Sequence, residues 1–264
     1  ASGSVEKVNG VTKANTEKVN GVSLPAGSTT ATLWVAAGND RAIGHISNTT
    51  LLLSPSGNNN WSSYDAFYGG SSPNPSNSVD HINVAYGKDG LNGNPMWVST
   101  WESDNPELAY KADPTSGPWV GINTDSSGNA LSMRRFAIEW GNGVWVAVGK
   151  MGSSTKYIFR SENGTDWTQN ALVVNDGGGN NTITTEGIYT IRTNGTWWFA
   201  QNNRIYQSTD NAQNWTLLHT LLDSGGNDPG KIRSMVYTNN TLLVGVMNTG
   251  EFFTASTSDL TDWS

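Results

Sequence analysis

A tryptophan in similar polar surroundings recurs along this 264-residue chain, at Trp61, Trp119, Trp167, Trp215 and Trp263. The last three intervals are each 48 residues and the first is 58. A fixed period of this length marks one supersecondary unit stacked on copies of itself, each burying its apolar faces against its neighbours. Upstream of each Trp lies a short apolar run: LWVAAG at Leu33 to Gly38, MWVST at Met96 to Thr100, VWVAVG at Val144 to Gly149, WWFAQ at Trp197 to Gln201 and LLVGV at Leu242 to Val246. These runs are aromatic and β-branched, bounded by Asn-Gly, Asn-Asn or Gly turns, and too short for helices, so they read as buried strands.

The fullest unit, Phe136 to Val174, reads as four strands joined by hairpin turns: FAIEW, VWVAVG, KYIFR and, after SENGTDW, TQNALVV. Two further units repeat the plan, and a four-stranded antiparallel sheet at this period is the signature of a propeller blade. The expectation is therefore an all-β fold, a β-propeller of about five four-stranded blades over 23–264, preceded by a short extended arm over 1–22. The first two units are degraded. The one from Ile82 to Val120 carries the excursion ESDNPELAYKADPTSG and has lost the motif before its Trp, and the first has no clear innermost strand. The last Trp is followed only by Ser264, so the fifth blade is expected to take its outer strand from a segment within Val19 to Leu33, which would close the ring and cover an open sheet edge. Trp197 and Trp198, adjacent in one strand, face opposite sides of one sheet.

Composition narrows the functional classes. A formal charge of -7 with only 14% charged residues lacks the clustered Lys and Arg that a phosphate backbone requires, so no nucleic acid is expected. With no Cys there are no disulfides, thiolate metal sites or Cys nucleophiles. No run of eighteen apolar residues exists and the opening ASGSVEKVNG lacks a signal-peptide pattern, so no membrane insertion is expected and the chain reads as soluble.

The stretches Ser161-Glu-Asn163-Gly164-Thr-Asp166-Trp167 and Ser208-Thr-Asp210-Asn-Ala-Gln-Asn-Trp215 resemble the Asp-box, S-x-D-x-G-x-T-W, of sialidase-like propellers; Ser256 to Trp263 is a looser copy and Ser54 to Trp61 looser still. In such a box the Ser hydroxyl and the Asp or Asn side chain satisfy backbone amides of a turn while the Trp wedges into the core, so these residues are expected to be structural. The arm carries a second duplication, EKVNGV at Glu6–Val11 and again at Glu17–Val22. It is similar to the openings of phage virion proteins, and Val8, Asn9, Gly10, Val11 and Val19, Asn20, Gly21, Val22 are its candidate docking residues.

Enzymes of the sialidase class imply an arginine triad around a substrate carboxylate, a Tyr/Glu nucleophile pair and an Asp acid/base. None of the arginines here stands in the Arg-Ile-Pro context of that family, and only Arg135 and Arg233 fall at the start of innermost strands, where side chains can reach the central channel. Glu102, Asp104 and Glu107 cluster in one loop, which reads as a solvated acidic loop. His45, His81 and His219 are scattered without zinc spacing. The loops from Asp176 to Asn181 and from Asp223 to Asp228 offer oxygen atoms but lack the order of a calcium loop. Neither a cofactor nor a metal is expected, and no catalytic residue is assigned. Trp101 and Trp140 lie at strand ends, where a ring can stack on a sugar or a partner; with Arg135 and Arg233 they form the candidate ligand surface. The reading is a non-enzymatic structural or decoration module of a larger assembly, a phage virion tail or capsid. It would be docked through its arm onto other structural proteins or further copies of itself. The alternative is a carbohydrate-binding adhesin that recognises host-surface glycans, extracellular or at a cell surface.

Overall fold

The computed structural model describes short strands over 7–8, 11–12, 18–19, 22–23, 34–38, 50–54 and 62–65. It also describes 80–263 apart from 91, 103–107, 115–118, 132–133, 151–154, 185–187, 248–249 and 261. Among the described residues there are strands and turns and no helix. In the arm, β1 (Lys7–Val8) pairs with β2 (Val11–Thr12) and β3 (Lys18–Val19) with β4 (Val22–Ser23), both antiparallel. Blade I consists of β5 (Trp34–Gly38), β6 (Thr50–Ser54) and β7 (Ser62–Asp65). Blade II consists of β8 (Asp80–Lys88), β9 (Pro95–Glu102), β10 (Leu108–Lys111) and β11 (Val120–Ile122). Blade III follows as β12 (Arg134–Gly141), β13 (Val144–Lys150), β14 (Lys156–Ser161) and β15 (Thr168–Ala171). A hairpin of β16 (Val173–Asn175) and β17 (Asn180–Thr182) leads to blade IV, made of β18 (Ile188–Thr193), β19 (Trp197–Gln201), β20 (Arg204–Ser208) and β21 (Trp215–Thr220). Blade V has β22 (Ile232–Thr238), β23 (Thr241–Val246) and β24 (Phe252–Ser256).

The chain is an all-β propeller, of about four blades built to one register (II to V) plus the three-stranded sheet I. Within each blade the strands run in chain order as an antiparallel meander, and β8, β12, β18 and β22 line up side by side as innermost strands. In sheet I, Trp34 pairs with Ser54 as Trp145 pairs with Ser161, so β5 corresponds to the second strand of the other blades. No innermost strand of sheet I occurs among the described residues. The segment 24–33, part of the stretch expected to complete blade V, lies outside the described residues.

The cores lie between blades. Val146, Val148 and Ile158 of blade III meet Ile191, Trp197 and Phe199 of blade IV. Ala147, Trp145 and Phe159 on the opposite face meet Val98 and Leu108 of blade II. Trp197 and Trp198 are both fully buried, one in the III/IV core and the other with Met235 and Val244 in the IV/V core, as alternation along a strand requires. Burying an aromatic or aliphatic side chain of this kind stabilises by about 1.5–3 kcal/mol, so each blade depends on its neighbours. Tight turns between strands use left-handed Asn at Asn142, Asn202, Asn239 and Asn240, the non-glycine residue that best tolerates that conformation.

Two features depart from the sequence reading. TQNALVV is not one outer strand: β15 ends at Ala171, and β16 pairs in parallel with β21 of the next blade, making that sheet six-stranded. Each innermost strand of blades II to V also carries an irregularity near its start, at His81/Asn83, Arg134/Ala137, Ile188/Thr190 and Ile232/Ser234. Recurrent bulges of this type twist a strand locally and re-aim the extra side chain.

Candidate functional site

The boxes are turns held by their own side chains. Ser161 Oγ accepts the Gly164 amide at 2.8 Å, and Asn163 Oδ1 accepts the amides of Thr165 and Asp166 at 3.0 and 2.8 Å. Asn163 Nδ2 donates to Asp166 Oδ2 at 2.6 Å, and the buried Trp167 indole donates to the Gly164 carbonyl at 3.0 Å. Gly164 has a φ of 78°, and an added Cβ would meet Met96 of blade II and Trp145, so this glycine lets two blades close together. In blade IV, Asp210 takes the place of Asn163, accepting from Ser208 Oγ at 2.7 Å, from the Asn214 amide at 2.9 Å and from Asn214 Nδ2 at 2.7 Å. Partial burial alone would raise its pKa, but these donors outweigh it and hold the carboxyl down at about 2. The extra residue in this box puts Ala212 where Gly164 stands, and Trp215 Nε1 has no acceptor among the described residues.

The last copy is shifted. Leu242, the counterpart of Trp145 and Trp197, pairs with the buried Ala255, so Ser256 stands one residue past the box position and is exposed. Ser256 still caps its turn through Ser258, at 2.7 Å, and Trp263 still donates to the Leu260 carbonyl at 2.8 Å. In blade II the pairing of Trp97 with Lys111 sets Lys111 in the serine position. Asp113 stands two residues on and favours the Lys111 ammonium that burial disfavours. The motif before Trp119 is thus replaced by a charge pair, and the signal for it was the Lys-x-Asp spacing.

Of the candidate ligand surface, the side chains of Trp140 and Arg233 are described. Trp140 is half-buried, edge-on to Trp145 with centroids 6.4 Å apart, and its ring fills the space over Gly87 of blade II, so it is blade packing and not a stacking platform. Arg233 is exposed at the bulge that opens β22, with Nε 3.0 Å from Met247 Sδ. Trp101 pairs with His81, and Arg135 occupies the corresponding bulge of β12; the side chains of both lie outside the described residues. Of the acidic loop, Glu102 ends β9 and 103–107 lie outside the described residues, as does His45. His219 stacks on Trp263 at 5.8 Å, and burial lowers its pKa.

Several carboxylates, buried and exposed, are engaged by neighbours. Glu139 on β12 lies 3.7 Å from Arg192 on β18, an ion pair that ties two innermost strands together. Burial disfavours the Arg192 charge and Glu139 offsets part of that cost. Asp125 is held ionised first by the Asn129 side-chain amide, then by the amides of Asn129 and Ser127. Asp223 is held in the same way, chiefly by the Asn227 amide at 2.7 Å, so this Gly/Asn loop spends its carboxylate on its own backbone. Asp176 likewise accepts from the Gly178 amide and from Asn181 Nδ2. No group of three or more His, Asp or Glu side chains suited to a metal occurs among the described residues.

A concave site lies among the described residues. Between the outer strands of blades III and IV, beneath the β16–β17 hairpin, lies a cleft of about 440 Å³. Its floor is Ile158, Leu172, Ala212 and Trp215. Its rim carries Thr168, Asn170, Asn180 and Thr216, and its one charged lining residue, Arg160, is engaged by Glu162 at 3.3 Å and the Asn211 carbonyl at 3.2 Å. Nothing in the local sequence announces this cleft, because it exists only through the pairing of β16 with the next blade.

The geometry is that of a propeller, and propellers of known structure match it. No family model and no curated protein matches the chain. A Bifidobacterium bifidum s17 protein assigned as an exo-β-1,3-galactanase aligns with a TM-score of 0.52 and 12% identity over 80% of this chain and 77% of that one. The Dos1 propeller aligns at 0.48 and 11% over 80% of this chain, which spans only about half, 52%, of that one. Trypanosoma rangeli sialidase aligns at 0.44 and 12% over 82% of this chain and 36% of its own. Glycosidases thus stand among the similar folds.

Proposed function

We propose that the chain is a non-catalytic binding propeller that works as a structural or decoration module of a larger assembly of the phage virion type, docked through its N-terminal arm. The observation that supports this is the arm itself. Both copies of EKVNGV form the same miniature hairpin, with Val8 opposite Val11 and Val19 opposite Val22; Asn9, Gly10, Asn20 and Gly21 between them lie outside the described residues. A hairpin with two-residue strands is not stable alone in water, so two copies of it make sense as paired elements for a partner surface. The engaged carboxylates of Asp125, Asp210 and Asp223 favour a binding role over acid/base chemistry. Light scattering after size exclusion tests the arm: the full chain should form a defined oligomer or bind virion structural proteins, and a chain starting at Ser23 should do neither. Equal masses together with equal capture of those proteins would refute it. The second reading, glycan recognition by the same propeller, is favoured by the cleft between blades III and IV.

A further inference from the structure

We infer that this cleft is a binding site for a neutral saccharide; the inference rests on the glycan-recognition reading and gives it a location. The volume of about 440 Å³ falls in the ~300–1,000 Å³ range of small-molecule sites. A sugar ring presents an apolar C–H face and a circumference of hydroxyls, each able to donate and accept. The cleft presents both: apolar surface from the exposed Ala171 and Val173 over the buried Ile158, Leu172, Ala212 and Trp215, and a rim of amides and hydroxyls. An amide both donates and accepts, so it suits a hydroxyl whose own role is not fixed. Asn170, Asn180 and Thr216 are exposed and make no side-chain hydrogen bond among the described residues, so their capacity is available to a ligand. The other polar groups are already used: Thr168 Oγ1 donates to the Arg160 carbonyl at 3.2 Å, and Asn214 Nδ2 donates to Asp210 at 2.7 Å.

The charge of the lining selects the class. No carboxylate lines the cleft, so it offers nothing to a cationic ligand. The Arg160 guanidinium already gives its Nη1 to Glu162 and its Nε to the Asn211 carbonyl, so its charge is partly offset before a carboxylated sugar could use it. The walls also come from two blades and a connecting hairpin, in which β16 is held by β21 and the Ile183 amide is bonded to the Leu172 carbonyl at 2.9 Å. The site is therefore largely preformed, which reduces the ordering cost of binding.

The test is a printed panel of neutral and sialylated oligosaccharides probed with the full chain, followed by titration calorimetry with the strongest neutral binder. The variants are Asn170→Ala/Asn180→Ala at the rim and Arg233→Ala at the distant opening of β22. The inference expects a neutral oligosaccharide to bind, the double variant to lose at least tenfold in affinity, and Arg233→Ala to bind as the unaltered chain does. Glycan binding that survives the rim variant, or is lost only with Arg233→Ala, overturns the cleft as the site and leaves the glycan reading standing. Binding confined to sialylated members overturns the neutral class. A panel with no bound member overturns the glycan reading and the cleft with it. Circular dichroism of each variant separates loss of binding from loss of fold.

Discussion

Asp210 and Asn214 in blade IV hold the same acid–amide pair as Asp166 and Asn163 in blade III with the roles exchanged, and this makes the box a test of its own electrostatics. In Asp210→Asn the amides at 213 and 214 keep an acceptor, as Asn163 provides in blade III, but two side-chain amide nitrogens now face each other. The fall of the Asp210 pKa from 3.8 to about 2 corresponds to at most about 2.4 kcal/mol, at about 1.36 kcal/mol per pH unit. Solvent screening at this partly exposed carboxylate reduces that to about 1 kcal/mol. Because the folded-state pKa lies below the unfolded one, the contribution is complete above the ordinary carboxylate range and is lost as pH falls through about 2. Guanidinium denaturation should show Asp210→Asn about 1 kcal/mol less stable at neutral pH, with the deficit shrinking by about pH 3. The exchange Asp210→Asn/Asn214→Asp should restore most of the loss by recreating the blade III arrangement. A deficit of the same size at both pH values, or no recovery in the exchanged variant, would refute the reasoning.

Other perturbations bear on the blade contacts. Gly87→Ala drives a methyl group into the Trp140 ring across the II/III interface and should cost about 1–3 kcal/mol, read as a lowered thermal midpoint; an unchanged midpoint would contradict that packing. Arg192→Leu removes the counter-ion of the buried Glu139 and should cost about 3 kcal/mol, whereas Glu139→Leu/Arg192→Leu should recover much of it, because the desolvation penalty goes with the charges; denaturant midpoints of the two variants decide the matter. His219 is pulled below its ordinary pKa of 6.5 by burial against Trp263. Its contribution is therefore full above that value and lost as pH falls below it, and the stability gap to His219→Gln should narrow on acidification. A gap that stays constant between about pH 7 and about pH 5 would exclude His219 as the titrating group.

The Trp period and the strand-like runs made the propeller legible, because burial between blades imposes the same apolar pattern on every unit. The box turns were legible for a related reason: a side chain that caps its own turn needs only residues within a few positions of itself, as Ser161 and Asn163 do. What spans blades was not legible. The Glu139–Arg192 pair joins residues 53 positions apart on neighbouring innermost strands, and the cleft depends on a hairpin finding an edge in the next unit. The packing of Trp140 was not legible either, because its strand-end position says nothing of Gly87, the residue whose missing side chain makes room for the ring.

The β16–β17 hairpin has a mechanical meaning. It leaves blade III in the chain and joins the outer edge of blade IV, with Val174 opposite Trp215 and Asn175 opposite Thr216 in a parallel pair. The sequence repeat closes at each Trp, but the cooperative unit of the fold does not, since pulling blade III away would strip the outermost strands from blade IV. Like a clasp sewn to one panel and fastened to the next, this hairpin makes III and IV yield together under load, while the II/III seam, crossed by packing and by single hydrogen bonds such as Ser126 N–H to the Trp167 carbonyl and Trp145 Nε1 to the Lys88 carbonyl, shares no such hairpin and is the one expected to part first.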